Sequence, residues 1–421
     1  MCTEDGWEII GETEGEKMNG NESFGIGRKR GGRPRGRGSR VPFSGDPEKR
    51  LPPNPGIRRR HRGRFRVFEG IARLLPTLTL ILLTAGSLSA ADRLLWTVSV
   101  FNGDDYFYQP SDMAADRERD LIYVVETGNH RVSVFDFEGK FIRTFGKQGQ
   151  GPGEFAKPTG AALLENGDLA VADVGNNRIQ IFDRRGRFLR SIGTHGRRAA
   201  DLAAVKGEFI TIPSFGNSGY ALHMDSEENF QPLATVLDGE GEIVRVFRVE
   251  DFPDSHPFIR AIKHRVALAV SPDGRLFLPY FAINRTLVFD ITGKEAGRFE
   301  RPLAFKPREP KLEEQRSREG VIQMRASMDF ISQAAQFGAD GCLYILTFAG
   351  SIAELLKGVT NRAERPRPPM RIDVIDPDSY KTVRRIDLEP GAGCFTVLDR
   401  ERLAYIHEDE AGEPVLVGIR F

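Results

Sequence analysis

The stretch VFDFEGKFIRTFG (134–146) returns 47 residues later as IFDRRGRFLRSIG (181–193). Each copy places a glycine between two runs in which apolar and polar residues alternate, which predicts a β-hairpin with a tight turn. A weaker copy, VFDITGKEAGRFE, occupies residues 288–300. A hairpin that recurs at an interval of about 40–50 residues is typical of the four-stranded blades of a β-propeller.

The chain from residue 92 to residue 421 contains six groups of short strand-like runs, which predicts an all-β, six-bladed β-propeller with four-stranded blades. The last group supplies three strands, and RLLWTVSVF (93–101) is the predicted fourth. An N-terminal strand in this position closes the last blade and hides an exposed sheet edge. Two insertions do not fit a blade: 306–337, whose composition predicts helix, and 350–370, within the fifth blade.

Two longer segments, ETGNHRVSVFD (126–136) and DVGNNRIQIFD (173–183), look like NHL repeats. On these motifs the chain resembles the bacterial exported six-bladed β-propellers of the NHL-repeat type. The resemblance implies the fold. No stretch matches, residue by residue, the metal ligands of lactonase-type or peptide-amidating lyase propellers.

The first ninety residues differ in composition from the rest of the chain. Residues 28–66 hold 15 Lys and Arg against two acidic residues, among many Gly and Pro. This composition predicts a disordered Arg/Gly/Pro-rich segment over residues 1–66. Such a segment can contact nucleic-acid phosphates, but it has almost no aromatic residues for base stacking, so we do not expect a nucleic-acid partner.

Residues 67–91 have the layout of a secretory signal peptide, with a basic flank, a short apolar core and a small-residue end at Ser89, Ala90 and Ala91. An uncleaved anchor is the alternative, with membrane contact only through residues 71–91. Both predict export to the periplasm or the extracellular space. Because a signal peptide normally lies close to the first residue, we also hypothesise that residues 1–66 are not part of the natural product.

The repeated Gly-Asn-x-Arg element has two interpretations. In both copies the glycine and asparagine predict a turn with left-handed backbone angles, and the arginine is within reach of an acidic residue, Glu126 or Asp173. Alternatively, these turns and the link GKQGQGPGEFAKPTG (146–160) form one binding face. The candidate binding residues of that face are Asn129, His130, Arg131, Lys147, Gln148, Gln150, Asn177, Arg178 and Arg285.

The sequence shows no catalytic constellation. It contains no closely spaced histidine pair and no Gly-x-Ser-x-Gly elbow. No cofactor is evident. A Ca²⁺ or Zn²⁺ ion held in the central channel by ligands from different blades is an alternative that the sequence leaves open. The chain has three cysteines, Cys2, Cys342 and Cys394, which are too few for a disulfide scaffold. Two buried free thiols at Cys342 and Cys394 are favoured over a disulfide between them.

These observations favour a monomeric, non-enzymatic binding or scaffold module that presents a loop-built face to a protein, peptide or glycan of the cell envelope. The alternative is a metal-dependent propeller enzyme, a lactonase-like hydrolase or a lyase, with its site in the central channel.

Overall fold

A computed structural model describes the chain over residues 8–9, 93–213, 232–248, 252, 256–316, 322–357, 359 and 365–421. Contacts divide the chain into two units, of which the first comprises Met1–Glu12 and Leu88–Phe421. The second unit, Thr13–Ser87, lies outside the described residues, as do the predicted export segment 67–91 and all of 1–66 except Glu8–Ile9. In the part of the chain that is described, no helix is long and apolar enough to span a membrane.

Six four-stranded antiparallel sheets form the predicted six-bladed propeller. The strands of the first blade, from the centre outward, are Pro110–Asp116, Leu121–Glu126, Arg131–Asp136 and Phe141–Phe145. Those of the second are Pro158–Leu163, Leu169–Asp173, Arg178–Phe182 and Phe188–Gly193, with a 3₁₀ turn at Val174–Asn176. Those of the third are Ala199–Val205, Glu208–Pro213, Ala234–Leu237 and Ile243–Phe247.

The fourth blade follows a short helix, Pro257–Lys263, and contains Ala269–Val270, Leu276–Pro279, Thr286–Phe289 and Glu295–Phe299. The fifth contains Ser332–Phe337, Leu343–Phe348, Met370–Ile375 and Thr382–Leu388, with a helical turn at Ile352–Leu355. The sixth contains Cys394–Val397, Arg402–Glu408, Pro414–Arg420 and Leu94–Val98. Outside the blades lie the hairpin Val100–Phe101 with Asp105–Tyr106 and the sheet Glu8–Ile9, Ile322–Ser327 and Lys311–Arg316.

The first strands of successive blades contact one another in a closed ring that ends where it began, at the first blade. Each neighbouring pair of blades encloses an apolar core of its own. This arrangement explains the burial pattern, because a middle strand such as Leu343–Phe348 is covered on both faces and is apolar at nearly every position. An outer strand such as Phe188–Gly193 is largely exposed.

The N-terminal strand closes the ring as predicted. Leu94–Val98 pairs antiparallel with Pro414–Arg420 and becomes the outer strand of the sixth blade. Trp96 connects this strand to the first blade, because its indole N–H donates to the carbonyl of Phe137 at 2.9 Å. A Cβ atom on Gly139 or Gly418 would lie 2.6 or 2.2 Å from the indole ring, so both glycines make room for it.

The helix predicted for 306–337 is wrong. Lys311–Arg316 and Ile322–Ser327 form a β-hairpin, and Ser332–Phe337 is the first strand of the fifth blade. Residues with high helix propensity form strands here because pairing with a neighbouring strand overrides the local preference. The first strand of a blade also has small and polar residues, such as Gln333 and Ala334, which conceal its β character in the sequence.

We predict that Trp96→Ala destabilises the propeller by about 3 kcal/mol, because it removes a large side chain and the hydrogen bond across the closing seam. The matched control is Leu95→Ala, since Leu95 is exposed on the same strand. Denaturant unfolding of both variants checks this prediction, and equal losses of unfolding free energy would contradict it.

Candidate functional site

In the part of the chain that the structure describes, the long connections of the propeller lie on one face. Successive strands of a blade alternate in direction, so the links from second to third strand and from blade to blade share one side. This side, here called the loop face, holds the described residues 99–109, 146–157, 256–268, 300–312, 328–331, 349–357 and 365–369. The opposite side, the turn face, joins strands by connections of two to six residues.

A buried carboxylate organises the loop face of the first blade. Glu126 ends the second strand and is fully buried. It accepts hydrogen bonds from Arg131 Nε at 2.9 Å, from Asn129 Nδ2 at 2.7 Å, from the Ser133 hydroxyl and from the backbone N–H of Tyr108 at 3.2 Å. A buried carboxylate needs such partners, because an unpaired charge is expensive away from water.

The second blade repeats this arrangement around Asp173. The carboxylate accepts from Arg178 Nε at 2.8 Å, Asn176 Nδ2 at 2.8 Å, Gln180 Nε2 at 3.1 Å and the backbone N–H of Ala156 at 2.7 Å. The ion pairs expected from the Gly-Asn-x-Arg element are therefore present in both blades.

Each Gly-Asn-x-Arg element also holds the link that enters its own blade. Arg131 Nη2 and Asn129 Nδ2 both donate to the carbonyl of Tyr106, at 3.1 and 3.2 Å. In the second blade Arg178 Nη2 donates to the carbonyls of Gly151 and Glu154, each at 2.8 Å. The arginines are thus occupied in fixing the links in place.

The predicted reason for the glycines is wrong. The left-handed residues of the two turns are His130 and Asn177, with φ of 53° and 52°. Gly128 is required because a Cβ atom there would lie 2.3 Å from the ring of Tyr108. A Cβ atom on Gly175 would lie 2.4 Å from the carbonyl oxygen of Ala156, so both glycines permit close approach of the link.

The two links correspond to each other residue by residue. Phe107 and Phe155 are buried at equivalent places, with their rings 5.6 and 5.4 Å from Phe135 and Phe182. The residues that flank the buried ring differ: the second link has Glu154 and Ala156, and the first has a tyrosine on each side.

Tyr106 and Tyr108 are 55% and 50% exposed on the loop face. Neither tyrosine is among the binding residues predicted from the sequence. Aligning the two Phe-centred links would have found them, because that alignment shows where the second link lacks an aromatic residue.

The predicted site residues divide into held and exposed groups. Lys147, Gln148, Gln150 and Asn177 are exposed on the loop face. His130 is half-buried, and its Nδ1 accepts a hydrogen bond from the backbone N–H of Lys157 at 3.0 Å. Arg285 is half-buried, with its guanidinium carbon 6.0 Å from the centre of the Phe252 ring. Also half-buried, and held within the blades by their hydrogen bonds, are Asn129, Arg131 and Arg178.

The glycine-rich link 146–157 uses its backbone groups internally. The N–H of Gly149 donates to the carbonyl of Phe155 at 3.0 Å, and the N–H of Gly153 donates to Gln180 Oε1 at 3.0 Å. The carboxylate of Glu154 accepts from the N–H of Gly151 and lies 3.3 Å from Lys147 Nζ. Together these two groups hold the pKa of Glu154 below its ordinary value.

Two carboxylates belong to the first strands, around the centre of the ring. Asp112 accepts from its neighbour Met113 N–H and from Ala161 N–H of the second blade, both at 2.8 Å. Asp201, in the third blade, accepts from the N–H of Leu202 at 2.7 Å and from the N–H of Leu268 at the edge of the fourth blade. Each carboxylate therefore joins its blade to the next.

Both central acids have raised pKa values. Burial raises the pKa of Asp201 to about 6, although the hydrogen bonds from the N–H groups of Leu202 and Leu268 act in the opposite direction. Burial and the negative charge of Asp201 raise the pKa of Asp112 well above its ordinary value. Both side chains are half-buried.

Within the described residues, no three His, Cys, Asp or Glu side chains lie close enough together to hold a metal ion. Cys342 and Cys394 are free thiols. Burial raises the pKa of Cys342 to about 11 and that of Cys394 further, so both are protonated at neutral pH.

Comparisons with known proteins agree with the architecture. A profile of a six-bladed β-propeller family, DUF5128, matches residues 115–190. "Protein brain tumor" of Drosophila melanogaster is 38% identical over 66 residues, a match that covers 15% of this chain and 6% of that protein.

Two solved structures illustrate the comparison. A member of the DUF4221 family from Bacteroides vulgatus is 9% identical with a TM-score of 0.51, covering 78% of this chain and 97% of that one. A gluconolactonase from Xanthomonas campestris is 12% identical with a TM-score of 0.47, covering 79% and 93%.

We predict that Arg178→Ala lowers the free energy of unfolding by about 3 kcal/mol, because Asp173 then stays buried without its cation. Amide hydrogen exchange in 147–157 should also become faster, because two link carbonyls lose their donor. Arg187→Ala is the control. The Arg187 side chain is 72% exposed and forms an ion pair with Asp183 on the turn face, and the loss of this pair should cost less than about 1 kcal/mol. Unchanged exchange in the link of Arg178→Ala would contradict this role.

The raised pKa of Asp201 predicts a pH dependence of stability. An acid whose pKa is higher in the folded chain binds its proton more tightly there, so unfolding free energy falls as pH rises from about 4 through 6. Relative to Asp201→Asn, the wild type should lose on the order of 2–3 kcal/mol between pH 4 and pH 7. Urea unfolding at several pH values measures the difference. A parallel pH profile for both proteins would contradict it, and Asp104→Asn, at an exposed turn, is the control.

Proposed function

We propose that this protein is an exported six-bladed propeller of the NHL type that acts as a binding or scaffold module for a protein, peptide or glycan of the cell envelope. The loop face is the proposed binding surface. The observation that carries this proposal is the pair of exposed tyrosines, Tyr106 and Tyr108, on a link that the first blade holds in place.

Tyrosines in this setting favour binding for a physical reason. A tyrosine offers a large apolar ring with a polar hydroxyl and loses little side-chain freedom when a partner covers it. The ring of Phe107 is buried between them, and the carbonyl of Tyr106 accepts from Arg131. The two tyrosines therefore belong to a pre-organised link, which lowers the entropic cost of binding.

The exposed polar residues predicted from the sequence extend this surface. Lys147, Gln148 and Gln150 belong to the next link, and Asn177 lies in the turn beside it. Hydrogen-bonding side chains around aromatic ones suit a polar, extended ligand such as a peptide or a glycan. Export rests on the layout of 67–91, and no nucleic-acid partner is proposed.

Binding of the full chain to peptide and glycan arrays tests this function. We expect selective binding to one class of ligand, weakened at least tenfold in the double variant Tyr106→Ser and Tyr108→Ser. Leu189→Ser is the matched control, because Leu189 is equally exposed but lies on an outer strand away from the loop face. No binding by the wild type, or equal binding by the double variant, would overturn the proposal.

The enzymatic alternative draws support from Asp112 and Asp201. Two carboxyl groups with raised pKa values at the centre of a ring are suited to acid–base chemistry or to part of a metal site. Metal analysis of the purified full chain, with lactone and ester hydrolysis assays, separates the two functions. Stoichiometric Ca²⁺ or Zn²⁺ with turnover abolished in Asp112→Asn would favour the enzyme.

A further inference from the structure

Three arginines surround one carboxylate between the fourth and fifth blades. Asp373, on the third strand of the fifth blade, is fully buried. Arg301 Nη1 lies 3.1 Å from its Oδ2, while Arg371 Nε and Arg385 Nε lie 3.0 and 3.5 Å from its Oδ1. Arg301 and Arg371 are themselves buried, and the Arg385 side chain is 45% exposed. These four residues are here called the arginine cluster.

The arginine cluster departs from the charge balance of the first blade. There Glu126 lies opposite Arg131 in the strand pairing, and Ser133 follows two residues later. In the fifth blade Thr347 lies opposite Arg371, and Asp373 follows two residues later. The acid and the hydroxyl have exchanged places.

The fifth blade has two further arginines around its carboxylate, Arg301 and Arg385, and the described residues of the cluster include no second acid. The first blade has two carboxylates, Glu126 and Asp105, for one arginine, whereas the arginine cluster has one carboxylate for three.

Neutral groups compensate this charge only in part. Arg301 donates to the hydroxyls of Thr347 and Ser332, and the carbonyl of Pro302 accepts from Arg371 Nη2 at 3.3 Å and Arg385 Nη2 at 2.9 Å. In the described part of the chain, Arg371 Nε and Asp373 Oδ1 are a buried donor and a buried acceptor without a hydrogen-bond partner, because their 3.0 Å contact is not aligned as a hydrogen bond. Burial and the positive charge of Arg371 lower the pKa of Arg301 to about 10, although the carboxylate of Asp373 raises it.

We propose that the arginine cluster binds an oxyanion, a carboxylate or a phosphate group, at the seam between the fourth and fifth blades. Guanidinium groups recognise both anions through paired N–H donors. Arg385 lies on the outer strand, so the anion reaches the cluster from the rim and contacts Arg385 with Arg371 behind it. Asp387, opposite Arg371 in the strand pairing, is exposed and makes no ion pair with these described arginines. This site does not depend on the proposed function of the loop face.

Thermal unfolding of the full chain tests the site, with millimolar phosphate or acetate added at an ionic strength matched with NaCl. We expect a saturable rise in Tm of about 2 °C or more with at least one of the two anions, and the comparison identifies the preferred group. In Arg385→Ala, the anion concentration that gives half of this rise should increase at least tenfold. In Arg187→Ala it should stay the same. A rise no greater than that with NaCl, or one that Arg385→Ala retains, overturns the proposal.

Thr347→Asp supplies the missing acid from within the protein. The new carboxylate takes the place of the hydroxyl that accepts from Arg301 and lies opposite Arg371. We expect this variant to have a higher Tm than the wild type in NaCl alone and to lose its response to phosphate and acetate. An unchanged anion response in a folded Thr347→Asp protein counts against the proposal, and Arg385→Ala decides the question if that variant does not fold.

Discussion

The loop face depends on a carboxylate that is buried at the end of a second strand. Glu126 and Asp173 have no contact with water, so each must collect enough donors to keep its charge. The donors come from the following turn and from the incoming link, which brings separate parts of the chain to one point. A requirement set by desolvation thus determines how blades join and where their links run.

Most of this architecture can be predicted from the sequence because each blade repeats the same local pattern. The hairpin around Gly139, the acid–arginine pairs and the closing strand all leave local patterns of alternation and spacing. The first strand of the fifth blade leaves no such pattern, since Ser332–Phe337 is small and polar at most positions. Its identity depends on pairing with Leu343–Phe348, which is a property of the folded ring.

The candidate site is less visible in the sequence for a different reason. Arg131 and Arg178 attract attention because they repeat, and the structure places them in the framework. Tyr106 and Tyr108 lie before the first recognisable repeat, in a segment without alternation. Their exposure follows from the burial of Phe107 between them, which becomes apparent only beside the link that contains Phe155.

The closing strand gives the ring a property that its linear sequence hides. Leu94 pairs with Ile419, so the chain enters the propeller and reaches Phe421 at the same edge of the sixth blade. In hydrogen bonding the sixth blade is complete, although its outer strand comes from the opposite end of the fold. A short peptide that joined these two points would close the backbone of the propeller into a circle. In that circle no blade would be structurally the first.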